Sequence, residues 1–225
     1  MAQAPDELTG IAAYWSAPMS DELPEEIRGA PVVVVAACWS GALAEGEQAI
    51  QPLRAIGTPL LDFSGAMPYL AAQKLFDPDY PRGDRYYWKS ILLTLIGDEL
   101  LNLLGDLAAR RPSSRNLVAI WALGGAIARV KPGDTAFFQR DVPWLLSIEG
   151  NAADPAADEA NFAWVREVYR KMQQFSSSGA YLNFPGFHEE GDELLRQTFG
   201  ANYERLREIR AKYDPDGLFQ FNVRL

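Results

Sequence analysis

The amino-acid sequence predicts an α+β fold: a mostly antiparallel sheet with helices packed on one face, followed by a helical C-terminal segment. Three observations carry this. Short runs rich in Val, Ile and aromatics, bounded by Pro, Gly or Asp, recur over the first 150 residues. Some follow one another through short links ("SA…PVVVVAAC", "TAFFQRDVPWLLSI"), as antiparallel neighbours do and βαβ units do not. Past "GNAADPAADE" the composition turns helical. The expected organisation is a sheet domain over residues 1–150 and a helical segment over 151–225, packed on the same body.

In chain order, strands are expected at "TGIAAYWSA", "PVVVVAACW", "TPLLDFS", "RYYWKSILL", "NLVAIWAL", "TAFFQR" and "PWLLSIEG". The Gly-rich "LGGAIARV" reads as a bend in a strand. Helices fall between and after these runs. "LAEGEQAIQPLRAI" puts Ala49, Ile50, Leu53 and Ile56 on one stripe, with Pro52 as a kink. "GDELLNLLGDLAARR" aligns Leu100, Leu101, Leu104 and Leu107, and ends on Arg110 and Arg111, which suit a helix C-terminus. "DPAADEANFAWVREVYRKMQQF" opens on acidic residues and carries Phe162, Val165, Tyr169 and Met172 as its apolar stripe. Two more helices, "EEGDELLRQTF" and "NYERLREIRAKY", precede an aromatic tail that should dock on a surface.

Bulk numbers exclude several classes. With 225 residues, 48% of them hydrophobic, the chain can build a packed core. A net charge of −9 argues against nucleic acid and anionic membrane as partners. The longest apolar runs are too short to span a bilayer, and "MAQAPDELTG" has no signal-peptide character, so a cytoplasmic location is expected. One His (His188) and one Cys (Cys38) leave no metal site of His and Cys ligands and no disulfide. There is no P-loop and no dinucleotide-binding glycine fingerprint. Cys38 closes a run of four valines and reads as a buried small hydrophobe, and His188 as a surface residue.

The sharpest chemical signal is "SSSGAYLNFPGFHEEGDE". Tyr181 and Asn183 are two apart and on a strand would share a face. They form either a base with its orienting partner or a buried tyrosine capped by a local hydrogen bond. In "RYYWKS", Tyr87 and Lys89 share one face and Tyr86 and Trp88 the other. Tyr87 and Lys89 are either a ligand wall with a cationic end or part of an edge strand with a snorkelling lysine. Trp121, just before Gly124 and Gly125, either floors a pocket or packs in the core.

The stretches "YYWKS", "IWALGGAIARV", "ANFAWVREVY", "GAYLNFPG" and "GANYERLREIRAKYDPDGLFQFN" resemble, in that order, the C-terminal half of the berberine bridge enzyme-like flavoproteins, FAD-linked oxidases of the vanillyl-alcohol-oxidase type. The resemblance covers nearly the whole chain. It implies a substrate domain whose C-terminal segment folds back onto an FAD domain, and that FAD domain would precede the region present here. Its flavin-anchoring His and Cys would lie there, and neither His188 nor Cys38 matches them. The resemblance further implies that Tyr181 is the base and that Trp121 stands where some members carry Glu or Tyr. An indole cannot act as that base, so Trp121 goes to the substrate wall with Tyr87 and Lys89. Asn183 and Asn222 become candidate flavin contacts. The tail departs from the family pattern at Gly217, where Asn is usual, at Gln220 and in its final "NVRL"; Ala152 replaces a frequent Trp.

The function so implied is the substrate half of an FAD-dependent oxidoreductase that oxidises an alcohol- or amine-type small molecule with O2 as acceptor and does not hold flavin alone. The partners implied are that small molecule and either a separate FAD-domain chain or a second copy of this one. The alternatives are a stand-alone, flavin-free small-molecule binding protein with a wall of Tyr87, Trp121 and Tyr181, and a non-redox catalyst using Tyr181.

Overall fold

A computed structural model describes residues 1, 4–21, 23–177, 179–184, 186, 187, 189 and 191–219. Five strands form one sheet: β1 (Leu8–Ser16), β2 (Pro31–Trp39), β3 (Arg85–Leu93), β4 (Leu117–Ala122) and β5 (Trp144–Ala152). Their order is β2-β1-β4-β5-β3, with every neighbouring pair antiparallel. Strands β2 and β3 are therefore the edges. The helices are α1 (Leu43–Arg54), α2 (Tyr69–Gln73), α3 (Asp98–Ala109), α4 (Ala126–Arg129), α5 (Asp158–Met172), α6 (Gly191–Phe199) and α7 (Tyr203–Tyr213). This is the α+β architecture the sequence implies. Among the described residues, no helix is long and apolar enough to cross a membrane.

Helices α3 and α5 cover one face of the sheet. On it Tyr87, Ile91, Val118, Leu146 and Ile148 meet Leu100, Leu104 and Leu107 of α3 and Trp164, Val165, Val168 and Met172 of α5. Fully burying an aliphatic side chain of this kind contributes about 1.5–3 kcal/mol, so this layer is the main source of stability. The stripes are rotated slightly from the expected ones. Leu101 faces water and Ala108 replaces it, while Phe162 and Tyr169 flank a stripe centred on Trp164 and Val168. Polar ties fix the layers. Trp164 Nε1 donates to Leu107 O at 3.0 Å. Asn116, fully buried, donates to Asn161 Oδ1 at 2.8 Å and accepts from Asn151 N at 2.9 Å. Acidic residues open α5 and basic ones close it, matching the helix dipole.

Two expected strands are absent. At 58–64 the carboxylate of Asp62 accepts from Ser64 N and Oγ, a local turn that competes with a ladder, and Leu60 and Phe63 stand exposed. At 135–140 the groups bond elsewhere: Gln139 Nε2 to Gln197 O, and Thr135 O from Asn202 Nδ2. The glycine-rich stretch ends β4 rather than bending it. Gly124 and Gly125 take φ of 121° and 50° and lead into the single turn of α4. Cys38 is exposed, because β2 is an edge strand and Cys38 lies near its end. In the tail, Tyr213, Leu218 and Phe219 are exposed. Gly217 adopts φ 64°, in the left-handed region that Gly takes without strain and Asn tolerates. His188, Asn222 and the rest of the tail lie outside the described residues.

Candidate functional site

The register divides the side chains of the sheet. Tyr87, Lys89 and Ile91 share a face with Ile148 and Val118, under the helices. Trp88, Ser90 and Leu92 share the opposite face with Glu149, Ser147 and Leu145 of β5 and with Leu117, Ala119 and Trp121 of β4. Loops line this second face. Tyr80 packs edge-on against Trp88, with ring centroids 5.4 Å apart. Phe184 also packs edge-on against Trp88, at 5.3 Å.

Tyr181 and Trp121 both lie on the loop face. Both lean on the apolar patch of Leu92, Val142 and Leu145. The backbone of Tyr181 is tied to Ser90, whose Oγ accepts from Tyr181 N at 2.9 Å and donates to Tyr181 O at 3.1 Å. Asn183 Nδ2 donates to the Tyr181 hydroxyl oxygen at 2.6 Å. The pair that sequence spacing singles out is therefore in contact, through a turn closed by Phe184 N to Tyr181 O at 2.9 Å rather than along a strand. The amide donates, so the phenol's own hydrogen is left to point elsewhere.

Tyr87 and Lys89 share a face, but it is the helix face, opposite Trp121 and Tyr181, so the structure does not bring these four into one wall. Strand β3 is the expected edge strand, yet Lys89 is only 3% exposed and does not snorkel. Its Nζ lies 2.8 Å from Glu189 Oε2 and 4.4 Å from the centre of the Tyr169 ring. Tyr87 OH donates to the same Glu189 oxygen at 2.6 Å, and Arg166 holds the other. Burial opposes the Glu189 charge, but bonds from Lys89, Tyr87 and Arg166 outweigh it and hold the carboxyl down at about 2. Burial, then the Glu189 carboxylate, pushes the Tyr87 phenol up.

One group that the sequence reading passed over stands on the loop face. Glu149 is 3% exposed, accepts from Ser147 Oγ at 2.9 Å and from Tyr80 OH at 2.8 Å, and has no ion-pair partner among the described residues. Burial pushes its carboxyl up, and the two hydroxyl bonds offset this only in part. Trp121 Nε1 donates to Ser147 Oγ at 3.0 Å, so a hydrogen-bonded chain links the carboxyl to the indole. The signal was present in "PWLLSIEGN": Ser147, Glu149 and Asn151 at alternate positions give an otherwise apolar strand a polar face.

Residues 180–223, which include Tyr181 and Asn183, match the family model "Berberine and berberine like". Two uncharacterized FAD-linked oxidoreductases of Bacillus subtilis (strain 168) align over most of the chain. YvdP is 30% identical over 195 residues, 80% of this chain and 41% of the relative. YgaK is 24% identical over 220 residues, 96% of this chain and 45% of the relative. The chain belongs to the berberine bridge enzyme-like FAD-linked oxidoreductases. The fold agrees. BBE-like #28 from Arabidopsis thaliana superposes with a TM-score of 0.75 at 15% identity, over 95% of this chain and 49% of that one. Aclacinomycin oxidoreductase gives 0.74 at 22%, over 95% and 46%. This berberine bridge enzyme-like chain thus spans about half the length of the relatives it matches.

FAD is the family's cofactor, and the described residues fit one part of it. Asn183, with one amide hydrogen on the Tyr181 oxygen and a second left over, suits a flat, carbonyl-bearing ring system. The glycine turn among the described residues is no cradle for a diphosphate. The Gly124–Gly125 turn opens onto a helix of one turn, and an Asp6 carboxylate oxygen lies 3.2 Å from where a Gly125 Cβ would sit.

Proposed function

We propose that this chain is the substrate-side, C-terminal half of an FAD-linked oxidoreductase that oxidises a small alcohol- or amine-type molecule, with O2 as the final acceptor. The observation that carries the reading is the Tyr181–Asn183 hydrogen bond on the sheet face not taken by α3 and α5, where Tyr181 and Trp121 border the same apolar patch. Tyr181, its own hydrogen first released so that it stands as phenolate, accepts the proton of the substrate hydroxyl or amine; Asn183 donates to the phenol oxygen and would be the contact to the cofactor ring, and Trp121 forms the substrate wall. Bound FAD would take up the hydrogen and electron pair that leave the substrate carbon and pass them to O2. Relatives include a chitooligosaccharide oxidase from Gibberella zeae and an aclacinomycin oxidase from Streptomyces galilaeus, which favours a hydroxyl-bearing substrate.

The diphosphate end of FAD belongs to the half of the relatives that this chain does not span, supplied on the same or a second polypeptide. The surface for that half is the stretch from Ile56 to Phe76, where Leu60, Phe63, Tyr69 and Leu70 are 68–78% exposed. The test joins this chain to the complementary half of the Bacillus YvdP protein and compares it with the chain alone. Flavin absorption retained after desalting only in the joined protein, with turnover of a sugar or alcohol panel that falls at least about 100-fold in Tyr181→Phe, is the expected result. A flavin-loaded, active joined protein indifferent to Tyr181→Phe removes Tyr181 from the role. Flavin retained by the chain alone refutes the division into halves.

A further inference from the structure

The described residues of 176–189 pass around the free edge of β3, from the loop face to the helix face. The contacts to β3 run in antiparallel order. Ser177 N donates to Leu92 O at 2.9 Å, Tyr181 N to Ser90 Oγ at 2.9 Å, and Gly186 N to Trp88 O at 2.7 Å. Beyond that point Phe187 packs on Tyr87 and Phe162, with centroids 4.7 and 5.2 Å away, and Glu189 meets Lys89. Each step along β3 is two residues, yet the segment uses four (177 to 181) and then five (181 to 186). A regular ladder uses two. The additional residues form the excursion that carries Tyr181, Asn183 and Phe184, which is held in its middle by Ser90 and Trp88 and at its far end by the contacts beyond Gly186.

We propose that Lys89 and Glu189 are positioning residues: their ion pair clasps the far end of this segment to the helix face and thereby holds the Tyr181 phenol in place on the loop face. The Lys89 side chain is 3% exposed, and an apolar side chain of similar length would fill the same space without its desolvation cost. What a charge pair adds over an apolar filler is a defined register, because it is satisfied at one separation only. Gly186 makes the turn onto the helix face possible. Its φ is 59°, and a Cβ there would lie 3.2 Å from Lys89 Cε and 3.3 Å from Tyr87 Cε2. The clasp lies on the helix face, across the edge strand from the phenol.

The inference rests on Tyr181 being the working group, but its test needs neither flavin nor turnover, so the two readings fail separately. The chain is labelled with 3-fluorotyrosine, the Tyr181 resonance is assigned by its loss in Tyr181→Phe, and amide hydrogen exchange is followed in parallel. In Lys89→Met and Glu189→Gln the Tyr181 resonance shifts or broadens, and the Tyr181 and Gly186 amides exchange at least about tenfold faster, while amides of α3 and α5 keep their rates. Lys89→Arg restores the resonance in part. A folded variant of either kind with unchanged Tyr181 resonance and exchange overturns the proposal. Glu189→Gln keeps the shape and two acceptor–donor positions, so it carries the test if Lys89→Met does not fold. Loss of the fold in both also overturns it, since the pair then serves the whole structure and not the phenol.

Discussion

Glu149→Gln is the substitution with the most to reveal. The carboxyl is 3% exposed, flanked in the ladder by Trp88 and Leu117, and bonded to two hydroxyls. Removing an ionised carboxylate from water without a cation costs several kcal/mol, and each hydroxyl bond to the charge returns about 1.5–3 kcal/mol. The sum is near balance or unfavourable, in keeping with a carboxyl pushed up by burial. The neutral form has its own network: a protonated Oε1 donates to Ser147 Oγ, whose hydrogen turns to Ala119 O at 3.5 Å. With the native pKa above the unfolded value of about 4.3, the folded chain holds a proton that the unfolded chain has lost. Its contribution to stability is full below the unfolded pKa and is lost as pH rises through the folded one, at up to about 1.4 kcal/mol per pH unit. Glutamine carries no titrating proton and offers an amide where the acid offered O–H. Urea unfolding followed by tryptophan fluorescence from pH 4 to 8 therefore gives a variant close to wild type at the acid end and increasingly more stable than wild type above pH 5. Parallel curves, or a variant that loses ground as pH rises, would show that Glu149 is folded as a carboxylate and refute the reasoning.

Other consequences follow from single positions. Gly200 takes φ 48°, and a Cβ there would overlap the Phe138 ring, so Gly200→Ala should lower stability by about 2–4 kcal/mol in denaturant unfolding. Asn116→Ala removes the donor to Asn161 and strands the Asn151 N–H in the interior, a loss of about 2–4 kcal/mol by the same measurement, with Asn116→Asp no better. The Cys38 thiol, exposed on edge strand β2, should react with a thiol reagent in the native protein within about threefold of its rate in urea.

What the sequence disclosed depended on whether a pattern named a partner. The five strands of the sheet stand out because each β-rich run is fenced by Pro, Gly or Asp and finds a ladder. "TPLLDFS" and "TAFFQR" have the same composition, but composition marks a need for burial, not the cover that meets it. Asp62 turns the first back on itself, and the second spends its polar groups on α6 and on Asn202, just before α7. Period-two spacing in "RYYWKS" fixes which side chains travel together and is silent on which face the helices take. Both sets are aromatic, so Tyr87 and Lys89 could be paired from sequence but not assigned to the covered side. The Tyr181–Asn183 contact was legible for a reason unlike the one expected: a turn brings the two together as well as a strand would.

The unmet need for burial leads to a last prediction. Leu60, Phe63 and Leu70 are 72%, 75% and 68% exposed, and so contribute almost nothing to the fold of the chain itself. A side chain that far out loses little when it becomes serine, within about 0.5 kcal/mol at each site. Covering all three recovers the burial of large apolar groups at about 25 cal/mol per Å². The isolated chain should therefore self-associate reversibly in sedimentation as concentration rises. Leu60→Ser, Phe63→Ser and Leu70→Ser together should leave it monomeric with its denaturant midpoint unchanged. The same triple variant should also lose the ability to capture the complementary half of a relative, because one surface serves both contacts. A triple variant that still self-associates would place the sticky surface elsewhere, with the exposed Val33 and Val35 of edge strand β2 next in line. One that unfolds would mean that the 56–76 stretch packs on its own chain after all.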